Sequence, residues 1–314
     1  MSRPQKASRI NLSQSQASIT LEEIVKSIIN SNNRAFNVRT DRRGYEIPSE
    51  TTISRRLYNI QSLIDAIDGN YEFSQHIQIF RDACQDIGLE RGHSGPVCLS
   101  ETGSRYLSFH QSMNALVDRV RKLANTPKFR RKLHDQRYAS KVTAASLEHY
   151  VRSVLDRYSR TVVVRVDLHY LDVADTWLRI EDLYQDLDKL IRAREHSHIF
   201  EHETGYAWSI EQGEDRGFHI HAAFFFNGEH VRKDWYKAQE IGELWEKITR
   251  GRGYFHNCNQ NKARYERLGV GTVKRADQAA CDDVVFAMSY LAKDDQNLRI
   301  KPRGARTFGK GQIL

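Results

Sequence analysis

Two hydrophobic periods follow one another along this chain. Up to about residue 150, apolar residues recur three and four apart, the spacing that lines one face of a helix. The pattern predicts helices from Leu21 to about Ile29 and over Ser49–Ile67, Glu72–Ile87 and Gly103–Leu123. Thr20 and Glu23 have capping-box spacing ahead of the first. Gly92, Gly95 and Pro96 mark Gly88–Gly103 as a loop. From about Leu155 strands alternate with helices. Thr161–Leu171 is rich in β-branched residues and reads as a strand with Arg165, Asp167 and His169 on one face. Thr176–Arg194 is helical through Leu178, Leu183, Leu187 and Leu190. Tyr206–Glu211 and Phe218–Phe226 read as a hairpin around Gly213 and Gly217. A helix over Asp234–Arg250, a loop over Gly251–Arg267, a short strand over Val270–Lys274 and a helix over Asp277–Asp294 complete the order.

That order, β-α-β-β-α-β-α, predicts an α+β fold. Its first six elements fit a ferredoxin-like split βαβ arrangement, an antiparallel sheet with helices on one face. The first strand and the second hairpin strand should then be neighbours. Three regions are expected: a Ser/Gln-rich disordered stretch over residues 1–18, a mostly helical N-terminal region over 19–150 that is a candidate DNA-binding accessory domain, and the sheet domain over 151–314 with a basic tail.

Composition narrows the partners. Hydrophobic residues make up 39% of 314 and the mean hydropathy is −0.65. No apolar run approaches the ~20 residues of a membrane span, and the first residues lack a secretory signal. Cys84, Cys98, Cys258 and Cys281 have no CxxC spacing, which fits a reducing cytoplasm and argues against a zinc ribbon or a disulfide framework. A net charge of +8 suits a polyanionic partner. Positive charge concentrates in Arg119–Lys141, in the Gly251–Arg267 loop (Arg252, Lys262, Arg264, Arg267) and in Gln296–Leu314, which has no acidic residue (Arg299, Lys301, Arg303, Arg306, Lys310). Tyr254, Phe255 and Tyr265 are interleaved as candidate stacking platforms for single-stranded DNA. The competing reading is a solvated tail and a loop whose aromatics pack beneath it.

The candidate chemistry lies in Glu211–Phe226. His219 and His221, two apart on a strand, share a face and form a two-point metal site, while Phe218, Ile220, Ala222, Phe224 and Phe226 face the core. Glu211 can join them only if it pairs opposite His219, which requires an odd number of residues in the turn. Downstream, Tyr290 and Lys293 are three apart on a predicted helix and project together. A tyrosine hydroxyl titrates near ~10; an adjacent cation and a metal polarising the target phosphate would activate it.

Glu211, His219-Ile220-His221 and Tyr290-Leu-Ala-Lys293, in that order, resemble the motifs of HUH endonucleases, rolling-circle replication initiators with one nucleophilic tyrosine. The wider run, from YSRTVVVRVDLHY through GYAWSIEQ, GFHIHAAFFF and GYFHNCN to AMSYLAKDDQ and RTFGKG, resembles inovirus-type replication proteins, including the prophage YagK/YfjJ C-terminal domain. The resemblance covers about residues 150–314. It implies that His219, His221 and Glu211 bind Mg²⁺ or Mn²⁺ and that Tyr290 attacks a phosphate of single-stranded DNA at a replication origin. The product would be a 5′-phosphotyrosyl adduct and a free 3′-hydroxyl. Lys293 would neutralise charge, while Asp167 and His169 would be either site residues or sheet-face polar residues paired with each other. A host helicase and polymerase would be partners, since no GxxxxGK[ST] box is present. The alternative is a non-catalytic DNA-binding protein retaining the fold. Tyrosine recombinases are disfavoured because no His-x-x-Arg box lies near Tyr290.

Overall fold

The computed structural model describes residues 12–172, 177–292 and 298–312. Helix and antiparallel sheet are mixed, and the chain divides into two units, Met1–Asp135 and Gln136–Leu314. The division falls inside one helix, Pro127–Arg157. Among the described residues no helix is long and apolar enough to cross a membrane.

The first unit contains helices α1 (Gln14–Ile29), α2 (Ser54–Leu57), α3 (Ile60–Ala66), α4 (Gln75–Asp86) and α5 (Phe109–Ala124). It also contains a hairpin, β1 (Phe36–Thr40) with β2 (Glu46–Glu50), and a short strand β3 (Tyr71–Phe73). Serine caps, rather than the apolar period, set where its longer helices begin. Ser13, Ser74 and Ser108 accept from the backbone N–H three residues on, opening α1, α4 and α5. The Thr20 capping box therefore lies inside α1, and Gln14–Ser18 are helical rather than disordered; residues 1–11 lie outside the described residues. The expected Ser49–Ile67 helix is broken. Ser49 and Glu50 belong to β2, the Thr51 hydroxyl is within donating distance of the Arg34 and Ala35 carbonyls, and helix begins only at Ser54.

The second unit is built on one six-stranded antiparallel sheet. After the long helix α6 (Pro127–Arg157) come β4 (Arg160–Tyr170), α7 (Ile180–Ala193), β5 (Glu203–Gly213), β6 (Gly217–Asn227), α8 (Asp234–Ile248), β7 (Gly253–Asn257), β8 (Gly271–Lys274), α9 (Gln278–Ser289), β9 (Ile300–Pro302) and β10 (Phe308–Lys310). Strand order is β10-β5-β6-β4-β7, and β8 also pairs with β4. β4 and β6 are thus neighbours, as the element order predicts. The segment read as a loop over Gly251–Arg267 contains β7, which pairs with Val166–Tyr170, while β8 pairs with Arg160–Val163. Between them the Asn259 amide accepts from Arg165 N and donates to Val163 O, standing in for the missing ladder.

Both faces of the sheet carry helices, not one. Val162, Val164, Val166 and Leu168 of β4 share a face with the even-numbered residues of β6, and α7 and α8 cover it. α8 lies so close that a Cβ on Gly242 would sit 2.1 Å from the Phe255 ring. Phe255 is therefore packing under α8, not a stacking platform. On the other face Val163, Ala207, Ala223 and Phe225 pack against α6 and α9 through Tyr150, Val151, Val284, Met288 and Leu291. These two helices cover only part of that face. Arg165, Asp167, His169, Ser209, Glu211, His219 and His221 occupy the remainder.

The basic tail is also ordered into the sheet. β10 pairs along Ala207–Ser209, and Gly309 admits the Trp208 ring where a Cβ would lie 2.4 Å from it. Arg299 donates to both the carbonyl (2.6 Å) and the side chain (2.9 Å) of Gln212. Deleting everything after Asn297 should therefore not leave the sheet untouched. It should lower the melting temperature by about 5 °C or more, as expected for losing ~2 kcal/mol in a domain of this size. Arg303→Gln with Arg306→Gln, at two exposed positions, should shift it by less than about 2 °C. Thermal unfolding monitored by circular dichroism compares the two; equal melting temperatures would show that β10 contributes nothing.

Candidate functional site

The hairpin register places the acid. Glu211 pairs opposite His219, Gln212 opposite Phe218 and Gly213 opposite Gly217, leaving residues 214–216 as an odd-numbered turn. Gly217 closes it at φ 56°, a conformation that favours glycine. Glu211 and His219 therefore share a face. His221 lies between Ser209 on β5 and Asp167 on β4, and His169 on β4 stacks on His219 at 5.3 Å between centroids. Tyr254 of β7 stacks on the other side of His169 at 5.0 Å.

Glu211 Oε2 lies 3.0 Å from His221 Nε2 and 3.6 Å from His219 Nε2. Two adjacent ligands at ~2.1 Å from an octahedral divalent ion are about 3 Å apart; the three donor atoms lie within 4.8 Å of one another, a grouping that could hold such an ion. The tautomers agree. His219 Nδ1 donates to the Gly217 carbonyl (3.1 Å), leaving Nε2 directed at Glu211. His221 Nδ1 donates to Asp167 Oδ1 at 2.6 Å, the carboxylate–imidazole pairing that orients metal-binding histidines. Asp167 is thus paired with His221, not with His169. Arg165 Nε donates to Asp167 Oδ1 (3.2 Å), and its Nη2 lies 3.4 Å from His221 Nδ1.

Burial would push the His221 pKa down, but hydrogen bonds to Asp167 and Glu211 outweigh it and raise the imidazole to about 9. Burial would likewise raise both carboxyls. His221 and Arg165 hold Asp167 below the usual carboxylate range, and His219 and His221 do the same for Glu211. His169 has no such partner: burial, then the neighbouring His219, lower it to about 4, and its Nδ1 meets no hydrogen-bond partner among the described residues.

Tyr290 is not in mid-helix. α9 ends at Ser289, and Tyr290 opens a 3₁₀ turn, Tyr290–Ala292. Lys293 lies outside the described residues. Tyr290 forms one wall of a cavity of about 450 Å³ that Arg165 also lines, so the arginine bonded to Asp167 is shared with the tyrosine's cavity. Sequence reasoning missed this use of Arg165, although its i, i+2 spacing from Asp167 on one strand was a signal. Phe286, in edge contact with Tyr290 at 5.6 Å, was also missed and lies one helical turn before it.

The expected DNA-contacting cations are mostly engaged within the unit. Arg252 pairs with Asp186 (3.0 Å), Lys262 with Asp234 (2.7 Å) and Arg267 with Asp283 (2.7 Å). Arg299 holds Gln212 and Lys301 the Ala305 carbonyl. A phosphate would have to compete with these partners. Arg264 lies over the Tyr265 ring, and Arg303 and Arg306 are exposed. In the first unit Arg119 pairs with Asp86 and Arg121 donates to the Ile28 and Asn33 carbonyls, so the basic stretch is partly structural.

Because His221 is raised to about 9, a metal ligating its Nε2 must displace a proton at neutral pH. Affinity for Mn²⁺ should rise about tenfold per pH unit up to about pH 9, which calorimetry in buffers of different ionisation enthalpy would register as one released proton. Without metal, the His221 ion pairs stabilise the fold fully below the unfolded histidine pKa of ~6.5 and are lost as pH rises through about 9. The contributions of Asp167 and Glu211 have the opposite sign. They are present above the unfolded carboxyl pKa of ~4 and lost as pH falls through their lowered values. A pH-independent metal affinity would remove His221 from the ligand set.

No curated protein and no solved structure matches the chain. The family model described as the YagK/YfjJ C-terminal domain matches residues 123–311, a span that takes in the sheet, the Glu211/His219/His221 cluster and Tyr290. This chain is a member of the YagK/YfjJ C-terminal domain family.

Proposed function

We propose that the second unit is an HUH-type endonuclease that nicks single-stranded DNA through Tyr290, acting as a phage- or prophage-type replication initiator. The observation that carries this reading is the cavity shared by Tyr290 and Arg165, with Arg165 bonded to Asp167 and 3.4 Å from His221. Arg165 is thus the side chain that connects the Tyr290 cavity to the Glu211/His219/His221 cluster, which supports the reading. The strand order, with β4 between β6 and β7 and helices in both crossovers, supports a ferredoxin-like split βαβ core.

Glu211, His219 and His221 would hold Mg²⁺ or Mn²⁺; two imidazoles favour Mn²⁺ in intrinsic affinity. When bound, the ion would polarise a non-bridging phosphate oxygen of the scissile linkage. Asp167 keeps His221 oriented with Nε2 toward the ligand position. Arg165 offers fixed donors to charge developing on the phosphate. Tyr290 Oη would attack phosphorus in line and lose its proton, forming the Tyr–O–P bond. The P–O3′ bond breaks, and the departing 3′-oxygen takes up a proton. The energy of the phosphodiester is retained in the 5′-phosphotyrosyl linkage, so the 3′-hydroxyl can prime a host polymerase or rejoin the strand. Lys293, three residues on, is the nearest cation in sequence that could assist.

Incubation with 5′- and 3′-labelled single-stranded DNA and Mn²⁺ tests the reading. The wild type should give a covalent protein–DNA band. Tyr290→Phe should abolish it while changing DNA affinity less than about twofold, because only the attacking oxygen is lost. His219→Ala with His221→Ala should abolish it through lost metal. Binding with no adduct under any metal would favour the non-catalytic DNA-binding alternative. An adduct persisting in Tyr290→Phe would move the nucleophile to Tyr254, since burial and the neighbouring Cys258 hold the Tyr265 proton up to about 12.

A further inference from the structure

The cavity beside Tyr290 has more construction than a nucleophile needs. Its walls include Phe286, Tyr265, Arg267, Glu266 and Gly269. Phe286, large and apolar, is 41% exposed on the cavity wall. The Arg267 guanidinium lies over that ring at 4.2 Å and is pinned by Asp283 at 2.7 Å. Ring and planar cation are therefore held together as one unit of the wall. The opposing segment is pressed against α9: a Cβ on Gly269 would stand 2.0 Å from the Ala287 Cβ. The cavity is thus formed by direct contact of loop and helix rather than by a gap that could close. At about 450 Å³ it lies in the range of small-ligand sites.

We propose that this cavity takes one unstacked nucleobase of single-stranded DNA next to the phosphate that Tyr290 attacks. The proposal rests on the function proposed above and adds the element that would position the substrate and read its sequence. The walls discriminate among ligands. The aromatic side chains of Phe286 and Tyr265, with the Arg267 guanidinium lying over the Phe286 ring, suit a planar ring and offer little to a free phosphate. Arg165 and Arg267 supply only donors, while Glu266 supplies an acceptor. A base edge carries both kinds of group; a phosphate carries acceptors alone and would be repelled by Glu266. Since Tyr290 is itself a wall, a base seated here would bring its flanking phosphate beside that residue, and Arg165, which also lines the cavity, lies 3.4 Å from His221.

A single-stranded random-sequence pool carrying 5-iodouracil, bound to the full chain and irradiated, tests this without knowledge of the origin sequence. Cross-linked peptides read by mass spectrometry should include Tyr265, Phe286 or Tyr290. Phe286→Ala, at an exposed position, should weaken binding of the same pool about tenfold by anisotropy, within what one stacked base contributes. It should also deplete the cross-link at this cavity. Arg267→Gln, which leaves the ring in place, should weaken binding in the same direction and provides the reading if Phe286→Ala does not fold. Wild-type binding and nicking with cross-links only elsewhere, and with unchanged affinity in both variants, would overturn the base pocket while leaving the nuclease intact. Failure of the wild type to bind any single-stranded DNA would overturn both.

Discussion

The pairing of β5 with β6 is the constraint on which the site depends. An antiparallel ladder has a side-chain period of two, so slipping the hairpin by one residue would send the Glu211 carboxylate into the apolar face. The same slip would be opposed from the other side, because Phe218, Ile220, Ala222, Phe224 and Phe226 would have to leave the core beneath α7 and α8. The phenylalanines of the apolar face thus fix the position of Glu211, His219 and His221 on the other. Gly217, at positive φ, lets the turn close with the count that this register demands.

Burial then makes the cluster an all-or-none arrangement. Asp167, Glu211, Arg165 and His221 are largely removed from water, where an unpartnered charge would cost several kcal/mol. Two carboxylates against a guanidinium and an imidazolium leave the metal-free group balanced. Exchange of the His221 proton for a divalent cation would leave one net positive charge, which a phosphate diester can answer.

The second face of the sheet explains how a tyrosine remote in sequence comes to this place. α6 and α9 bury Tyr150, Val284, Met288 and Leu291 against Val163, Ala223 and Phe225, and stop short of the polar end of the strands. The C-terminal end of α9 is held beside Arg165 by that packing and by the close fit of Gly269 on Ala287. The cavity lies where the apolar packing of α6 and α9 ends and the polar end of the face begins.

Alternation along β4, β5 and β6 was readable in the sequence, because a strand's period is two whatever surrounds it. It placed Glu211, His219, His221, Asp167 and His169 on a common face, and the odd turn set their register. Helix starts in the first unit were less legible. A serine bonding three residues ahead overrides apolar spacing, as at Ser74 and Ser108, and Thr51 interrupts a run that looks helical. What only the tertiary structure decided are relations between segments far apart in the chain. Asp167 engages His221 rather than His169, β7 emerges from a glycine-rich stretch because β4 has a free edge, and the basic tail becomes an edge strand of the sheet. Arg165 meets the cavity of Tyr290 for the same reason. Local periodicity carries the face on which a side chain lies; which distant segment it meets is set by strand pairing and by the packing of helices on the sheet, and no local pattern encodes either.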